Sequence, residues 1–206
     1  MPATPTARAD TRQAVLAAAE RLFDARGFAA VSISDLTAAS GVSNGSIYHH
    51  FASKDGVLAA LVLDALATYQ RELIEALDAH PDDAEGGVRA AVAHELGWFE
   101  RNPRAARLVI AHRDAVAASD AGREPLRAAN RQSLKRVRAW LDGAFAQPVD
   151  PDILHAVVFA PARELASLWL AKRIKPRPTT FAAPLGDAAW AAVLTTLHPA
   201  GGQNPR

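Results

Sequence analysis

Apolar residues recur along this chain with the spacing of helices, and the alternation of apolar and polar residues that marks a half-buried strand is rare. Between residues 11 and 26 the apolar positions share one helical face, and they are Val15, Leu16, Ala19, Leu22 and Phe23. Gly27 can take the left-handed conformation that closes such a helix. Clusters of Gly and Pro then separate segments of about ten to thirty residues, the length of ordinary helices. The pattern predicts an all-α protein of about nine helices.

Two short helices are predicted after the first. Ser32 suits an N-cap, and Asp35, three residues later, completes a capping-box arrangement. Gly41 ends this second helix, and Ser43 or Asn44 caps a third. A short helix, a turn with glycine and a second short helix, braced by a preceding amphipathic helix, together predict a helix-turn-helix.

The third predicted helix presents small polar residues on its outer side. Ile47 and Phe51 are spaced to hold this helix on the core. Its N-terminal end and outer face carry Ser43, Asn44, Gly45, Ser46 and His49. Small side chains allow close approach to the floor of a DNA groove, Asn can pair with adenine edges, and Ser can pair with either base type. The helix therefore fits the recognition helix of a DNA-binding motif.

Residues 12 to 61 resemble the DNA-binding domain of the tetracycline-repressor (TetR) family of bacterial transcription regulators. The resemblance rests on the segments LFDARGF and SISDLTAASGVSNGSIYHHFASKDGVL, and its most specific part is a Tyr-x-His-Phe element followed by Ser-Lys. The family implies an all-α fold in which an N-terminal three-helix DNA-binding domain, residues 1–53, precedes a larger helical domain, residues 54–206. The larger domain is expected to bind a ligand and to form a dimer.

The resemblance also implies roles for individual residues. It assigns to the DNA face Ser34, Ser43, Asn44, Gly45, Ser46 and His49. Tyr48 and Lys54 match phosphate contacts of the family, Lys54 from the start of the fourth helix. Two residues depart from the family pattern, because Thr37 stands where a small Ala is usual and Asn44 stands where Lys or Arg is frequent. The second departure removes a positive charge and leaves the base preference open.

The implied partners are a double-stranded DNA operator, a small apolar or amphipathic effector that releases a repressor from a palindromic operator, and a second copy of the chain. A homodimer is expected through helices eight and nine, since a two-fold operator needs two recognition helices. The apolar sides of these helices carry Leu154, Val158, Leu165, Leu168, Trp169, Trp190, Val193, Leu194 and Leu197. The alternative is that these residues form only the core of the chain itself. Pro161 lies inside the eighth helix and is expected to bend it.

Aromatic and histidine side chains beyond the first domain are candidates for an effector pocket. They are His94, Trp98, Trp140, Phe145, His155 and Phe159. His94 and Trp98 are one helical turn apart and share a face, and the other four could converge from the predicted helices seven and eight. Small-molecule pockets combine aromatic side chains with a few polar groups, but so do ordinary cores, and core packing is the alternative for each residue.

Composition narrows the class of protein. Basic and acidic residues number 23 and 22, so net charge alone indicates no partner. A basic stretch between residues 101 and 138 is better explained by a solvated face than by an entrance for an acidic ligand. The chain lacks cysteine, which excludes disulfides and thiolate metal sites, and no metal or cofactor is expected. With no signal peptide and no apolar run of about 18 residues, a cytoplasmic protein without a membrane partner is expected.

Two other functions remain as alternatives. A helical enzyme would use histidines, such as the adjacent His49 and His50, with carboxylates for hydrolysis or metal binding. The sequence contains no HExxH motif, nucleophile elbow or glycine-rich phosphate loop to support it. An architectural DNA binder without an effector is the other alternative, and it would leave the large region after residue 80 without a purpose.

Overall fold

The computed structural model describes the backbone of residues 5–197 and the side chains of residues 10–197. Nine α-helices and no strand occur in residues 5–197, so the predicted all-α class is confirmed. The helices are α1 (Pro5–Arg26), α2 (Ile33–Ser40), α3 (Asn44–Phe51), α4 (Lys54–Asp78), α5 (Ala84–Arg101), α6 (Pro103–Ala118), α7 (Arg123–Ala144), α8 (Pro151–Leu170) and α9 (Ala182–Leu197). A 3₁₀ turn, Pro178–Phe181, precedes α9.

The chain packs as two compact units, neither of which is continuous in sequence. Unit 1 contains the described residues up to Thr68 together with Arg104–Asn130. Unit 2 contains Tyr69–Pro103 together with the described residues from Arg131 onward. The division by packing falls within α4, at the start of α6 and within α7, whereas the division by function was predicted between residues 53 and 54. The functional division stays a prediction.

The core of unit 1 combines α1 with a helix that follows much later in the chain. The predicted apolar face of α1 is buried, with exposures of at most 3% at Val15, Leu16, Ala19 and Phe23. On α6, Leu108 and Val116 join the same core. Burial of an apolar side chain of this size stabilises a fold by about 1.5–3 kcal/mol relative to full exposure. α6 is therefore an integral part of unit 1.

Local capping fixes the bounds of α2 as predicted. Ser32 Oγ accepts a hydrogen bond from the Asp35 N–H at 3.1 Å, and the Asp35 carboxylate accepts one from the Ser32 N–H at 2.8 Å, which completes a capping box. Hydrogen bonds from Ser32 and then from Arg26 hold the pKa of Asp35 far below its usual value. Gly27 and Gly41 close the first two helices with φ of 78° and 72°, the left-handed region that glycine tolerates.

Unit 2 is organised around α5. Arg89 on α5 donates a hydrogen bond from Nη1 to the carboxylate of Asp187 on α9, which links the two helices. Position 87 requires glycine, because the ring of Trp140 from α7 fills the space beside it. An added Cβ would lie 2.1 Å from the ring. The Trp140 Nε1–H donates to the His80 carbonyl at 2.8 Å, so the buried indole is fully paired.

α8 contains an irregular turn just before Pro161. His155–Phe159 form a π turn, in which the Ala160 N–H donates to the His155 carbonyl. A proline lacks an N–H and crowds the carbonyl four residues earlier, and a π turn relieves that conflict. The distortion expected at Pro161 therefore takes the form of a π turn.

Part of the apolar surface predicted for the dimer belongs to the core of unit 2 itself. Leu154, Val158 and Val193 are at most 5% exposed, so they are not available to a partner. Their assignment to an interface was wrong because α8 and α9 are apolar over more than one face, and helical spacing does not show which face meets the chain's own core. Ile153 and Leu194, by contrast, are 42% and 39% exposed.

Candidate functional site

Two buried side chains hold α3 on the core of unit 1, as predicted. Ile47 is fully buried and Phe51 is 7% exposed. Ser43 caps the helix, because its Oγ accepts a hydrogen bond from the Ser46 N–H at 3.3 Å. A helix anchored along one side presents its other side as a firm surface.

The structure exposes most of the residues that the sequence assigned to DNA. The exposed ones are Ser34, Ser43, Asn44, Gly45, Tyr48 and His49. Tyr48 is 52% exposed, which is high for an aromatic side chain in a folded protein. Ser46 is half-buried, and its hydroxyl accepts a hydrogen bond from the Ser43 hydroxyl at 3.2 Å. Ser34 lies on α2, and the others lie on α3 or directly before it.

Gly45 is a glycine that the fold of unit 1 does not require. It sits in α3 without a positive φ, and a Cβ added to it would have no neighbouring atom within 4 Å. Glycine inside a helix costs about 0.5–1 kcal/mol relative to alanine. The open space beside Gly45 suits a partner that must approach the backbone closely, as the floor of a DNA groove does.

Lys54 is more deeply involved in the fold than the sequence indicated. Its Nζ donates to the carbonyls of Phe28 at 3.0 Å and Val31 at 2.8 Å, and it lies 4.3 Å from the centre of the Phe28 ring. These contacts fix the start of α4 to the turn between α1 and α2. An ammonium group has three donors, so one N–H is left for a phosphate. The phosphate contact of Lys54 stays a prediction.

The two residues that depart from the family pattern contact each other. Thr37 Oγ1 on α2 donates a hydrogen bond to Asn44 Oδ1, the first residue of α3, at 2.9 Å. The backbone of Thr37 is fixed as well, because its carbonyl accepts from the Gly41 N–H at 3.0 Å. The bond therefore orients the side chain of Asn44 from outside its own helix.

The six residues predicted for an effector pocket lie in two places within unit 2. Trp140 and Phe159 line an apolar cavity of about 10 Å³, enough for roughly one water molecule. Phe145 packs on Trp140 with ring centroids 5.9 Å apart, and the exposed His155 lies 5.8 Å from the Phe159 ring. Because ligand pockets measure about 300–1,000 Å³, this part of the core would have to open to admit an effector.

The second place joins His94 and Trp98 with Tyr69 from α4. The ring of Tyr69 packs on both, with centroids 4.9 Å from His94 and 5.4 Å from Trp98. His94 is 8% exposed and Trp98 is 2% exposed. Even so, His94 Nε2 and Trp98 Nε1 have no hydrogen-bond partner within the part of the chain that the structure describes. A buried polar group without a partner costs about 1–3 kcal/mol, so two of them on one helix call for a functional explanation.

The two unpaired atoms have complementary chemistry. Burial lowers the pKa of His94 to about 4, so its ring is neutral at neutral pH. A neutral imidazole carries its proton on one of its two nitrogens, so Nε2 is an acceptor when Nδ1 carries the proton. Trp98 Nε1–H is a donor. A hydroxyl or an amide group, which both donates and accepts, would satisfy the pair.

Glu95, which the sequence analysis did not single out, lies between these two residues on α5. It is fully buried, and its carboxylate accepts hydrogen bonds from the Tyr69 hydroxyl and from Arg163 Nε, the latter at 2.8 Å. Burial and then the charge of Glu95 raise the pKa of Tyr69 well above its usual value. The sequence did contain a signal, because Glu95 falls four residues after Ala91 and four before Phe99, on the buried stripe of α5. Among the side chains of residues 10–197, no group of three or more His, Asp or Glu is suited to hold a metal ion.

The arrangement of α1, α2 and α3 is that of a helix-turn-helix, a motif typical of DNA-binding proteins. Residues 15–61 match the family model described as bacterial regulatory proteins, tetR family. This match agrees with the resemblance of residues 12 to 61 to the DNA-binding domain of that family.

Sequence comparison matches part of the chain to known proteins. An HTH-type transcriptional repressor from Mycobacterium tuberculosis is 44% identical over 70 residues, which are 34% of this chain and 37% of that protein. This chain spans less than half the length of the curated relatives first compared with it.

Solved structures match over nearly the whole chain. A TetR-family regulator from Marinobacter aquaeolei VT8 superposes with a TM-score of 0.73 at 18% identity, covering 92% of this chain and 98% of that one. FadR from Bacillus subtilis, in complex with stearoyl-CoA, superposes with a TM-score of 0.70 at 13% identity, covering 88% of this chain and 98% of that one. At such identities the likeness shows a shared fold.

Proposed function

We propose that this protein is a DNA-binding transcriptional regulator of the cytoplasm, a repressor that leaves its operator when a small effector binds. The observation that carries the proposal is the geometry of α3. This helix is anchored by Ile47 and Phe51, and it exposes polar side chains around Gly45. Repression is supported by the relative from Mycobacterium tuberculosis, which is a transcriptional repressor.

Selection of binding sites from randomised duplex DNA, followed by footprinting, tests the DNA-binding function. We expect palindromic sites with half-sites about 34–36 Å apart, or a multiple of that distance. Asn44→Ala is expected to change base preference, because Asn44 is exposed at the start of the proposed recognition helix. Tyr48→Phe removes only a hydroxyl and is expected to weaken binding to all sequences alike, as a lost phosphate contact does. If the wild-type protein enriched no sequence, the proposal would be wrong.

The proposed effector is an apolar or amphipathic molecule with a hydroxyl or amide group. That group would accept from Trp98 Nε1 and donate to His94 Nε2, which are buried and unpaired. The apolar surroundings in unit 2 would take the rest of the molecule. The complex of FadR with stearoyl-CoA supports ligand binding by this fold.

Titration with 1-decanol, decanamide and decanoate, followed by tryptophan emission, tests this site. Decanol and decanamide carry the donor and acceptor that the pair lacks, and decanoate is the matched compound without a donor. We expect Trp98→Phe to weaken decanamide about fivefold to tenfold, the effect of one hydrogen bond. Operator DNA is expected to weaken the same ligand by about 5–150-fold, since coupling between two sites is reciprocal. Identical affinity with and without operator would favour an architectural DNA binder instead.

The proposed homodimer joins two copies through α8 and α9. By length and composition alone, α8 is long and apolar enough to cross a membrane. Of its apolar stretch of 18 residues, 28% is buried in the single chain. Its Arg163 pairs with the buried Glu95, which suits a helix inside a protein better than one in lipid. The exposed side chains of Ile153 and Leu194 would be covered by a second copy.

Leu194→Glu tests the dimer without disturbing the core, because Leu194 is exposed in the single chain. We expect light scattering to show a monomer. Ile110→Glu on α6 is the matched control, since Ile110 is 49% exposed in unit 1, and it should leave the dimer intact. Trp190→Glu is less suitable, because Trp190 packs against Phe145 with ring centroids 6.4 Å apart. An intact dimer in Leu194→Glu would reject this interface.

A further inference from the structure

The hydrogen bond from Thr37 fixes the orientation of an exposed amide at the start of the recognition helix. Thr37 Oγ1 donates to Asn44 Oδ1 at 2.9 Å, and Asn44 is exposed. Within the described residues, no hydrogen bond uses Asn44 Nδ2. An asparagine free of such a bond can rotate its amide and present either its oxygen or its nitrogen to a partner.

The fixed position of Asn44 Oδ1 determines which group of the amide faces outward. The oxygen and nitrogen of an amide lie on opposite corners, so an oxygen held by Thr37 on α2 turns Nδ2 away from α2. One of the two lone pairs of Oδ1 is already used by Thr37. Asn44 therefore presents a donor rather than the free donor and acceptor with which an asparagine pairs with adenine in a bidentate manner.

We infer that Thr37 is a positioning residue for base recognition, and that it holds Asn44 so that Nδ2 donates to an acceptor on a base edge in the major groove. The acceptors of this kind are purine N7, guanine O6 and thymine O4. Cytosine offers a donor at its N4 instead, so cytosine is disfavoured at the contacted position. The inference rests on the proposed DNA-binding function and adds to it the class of base edge that is read.

Ser43, which caps α3, and Ser46 in its first turn are hydrogen-bonded to each other. The hydroxyls of Ser43 and Ser46 are bonded to each other at 3.2 Å, and Ser43 Oγ also accepts from the Ser46 N–H. These contacts cap the helix and use the hydroxyl donor of Ser43 within the first turn. The Nδ2 donor of Asn44 is not used in this way, and Thr37 controls its direction.

Selection from randomised duplex DNA with four proteins tests the inference. Wild type is compared with Asn44→Ala, which identifies the contacted position, and with Thr37→Val, which keeps the shape of Thr37 but removes its donor. Thr37→Ser is the matched control that keeps the hydroxyl. We expect wild type to disfavour cytosine at one position of each half-site, and Asn44→Ala to abolish that preference.

Thr37→Val should reduce discrimination at the same position by about threefold to tenfold, the effect of one hydrogen bond, while Thr37→Ser retains most of it. The salt dependence of binding should be unchanged in Thr37→Val, because no phosphate contact is lost. Unaltered discrimination in Thr37→Val, beside a change in Asn44→Ala, would overturn the inference and leave the proposed function standing. Enrichment of no sequence by the wild type would overturn both.

Discussion

Arg107 on α6 holds Asp24 on α1 with two hydrogen bonds, from Nε at 2.7 Å and from Nη2 at 3.1 Å. Hydrogen bonding to Arg107 lowers the pKa of Asp24, although burial opposes the shift. The ring of His112, also on α6, lies 5.8 Å from that of Phe28, just after α1. A helix far from the N-terminus in sequence is therefore fixed to the DNA-binding part by charge as well as by apolar contacts.

Gly45→Ala should separate stability from DNA binding. The added methyl group meets nothing in the folded protein, so we expect unfolding to cost about 0.5 kcal/mol more because alanine favours a helix. DNA affinity should fall roughly tenfold, as for one mismatched base pair, because the methyl group separates α3 from the groove. Urea unfolding and titration of operator DNA measure the two effects.

Gly143→Ala is the matched control, since a Cβ there would lie 3.7 Å from the Pro81 carbonyl, an ordinary contact in unit 2. It should leave DNA affinity unchanged. Unchanged affinity in Gly45→Ala as well would mean that Gly45 does not approach DNA.

Lys54→Met should affect both the fold and DNA binding. Two hydrogen bonds from the ammonium to the carbonyls of Phe28 and Val31 are lost, and we expect unfolding to cost about 2 kcal/mol less. If the third N–H contacts a phosphate, the slope of log affinity against log salt concentration should also fall by about one unit. Lower stability with an unchanged slope would show that Lys54 only supports the fold.

Arg163→Met should destabilise unit 2 by about 3 kcal/mol, because it leaves the buried carboxylate of Glu95 without its counter-charge. The matched control is Arg101→Met, which removes an exposed ion pair with Glu72 and should cost less than about 1 kcal/mol. Urea unfolding of the three proteins gives both values. Equal losses in the two variants would contradict a buried charge at Glu95.

Burial of His94 should make stability depend on pH between about 4 and 6.5. The pKa is near 6.5 in the unfolded chain and about 4 in the folded protein. Above 6.5 the ring is neutral in both states, and the full stability is present. As the pH falls through this window, the unfolded chain binds a proton that the folded protein does not, so stability is lost, by about 2–3 kcal/mol at pH 4.

His94→Phe keeps an aromatic ring against Tyr69 and removes the titration. Urea unfolding at pH 7 and pH 4.5 should show a smaller loss of stability in the variant than in the wild type. The comparison between the two proteins cancels the contributions of carboxyl groups such as Asp24 and Glu100, whose pKa values are lowered in the folded protein. Parallel losses would show that His94 is not responsible.

Features that depend on neighbouring residues in sequence were predicted well. The capping box of Ser32 and Asp35 and the glycine closures at Gly27 and Gly41 are confirmed, because such caps involve residues only three or four positions apart. The anchoring of α3 by Ile47 and Phe51 is also confirmed, since helical spacing determines which residues share a face.

Features that depend on packing between distant helices could not be predicted from the sequence in the same way. Nothing near Lys54 in sequence indicates that its ammonium reaches carbonyls at Phe28 and Val31. Likewise, helical spacing brought His94 and Trp98 together but did not reveal that they lie against Tyr69, or that Trp140 belongs to a separate cavity. The sequence showed that Glu95 places a charge on a buried stripe, but it did not show that Arg163 is the partner of Glu95.

The place of α6 in unit 1 limits how this protein can be recombined, by evolution or by an engineer. A gene fragment that ends after Thr68 would encode the helix-turn-helix but not Leu108 and Val116, which complete its core, nor the arginine that holds Asp24. A chimera made from that fragment would expose the apolar surface that α6 covers and would tend to aggregate. New pairings of operator and effector should therefore arise by substitution within the chain more readily than by exchange of its first third.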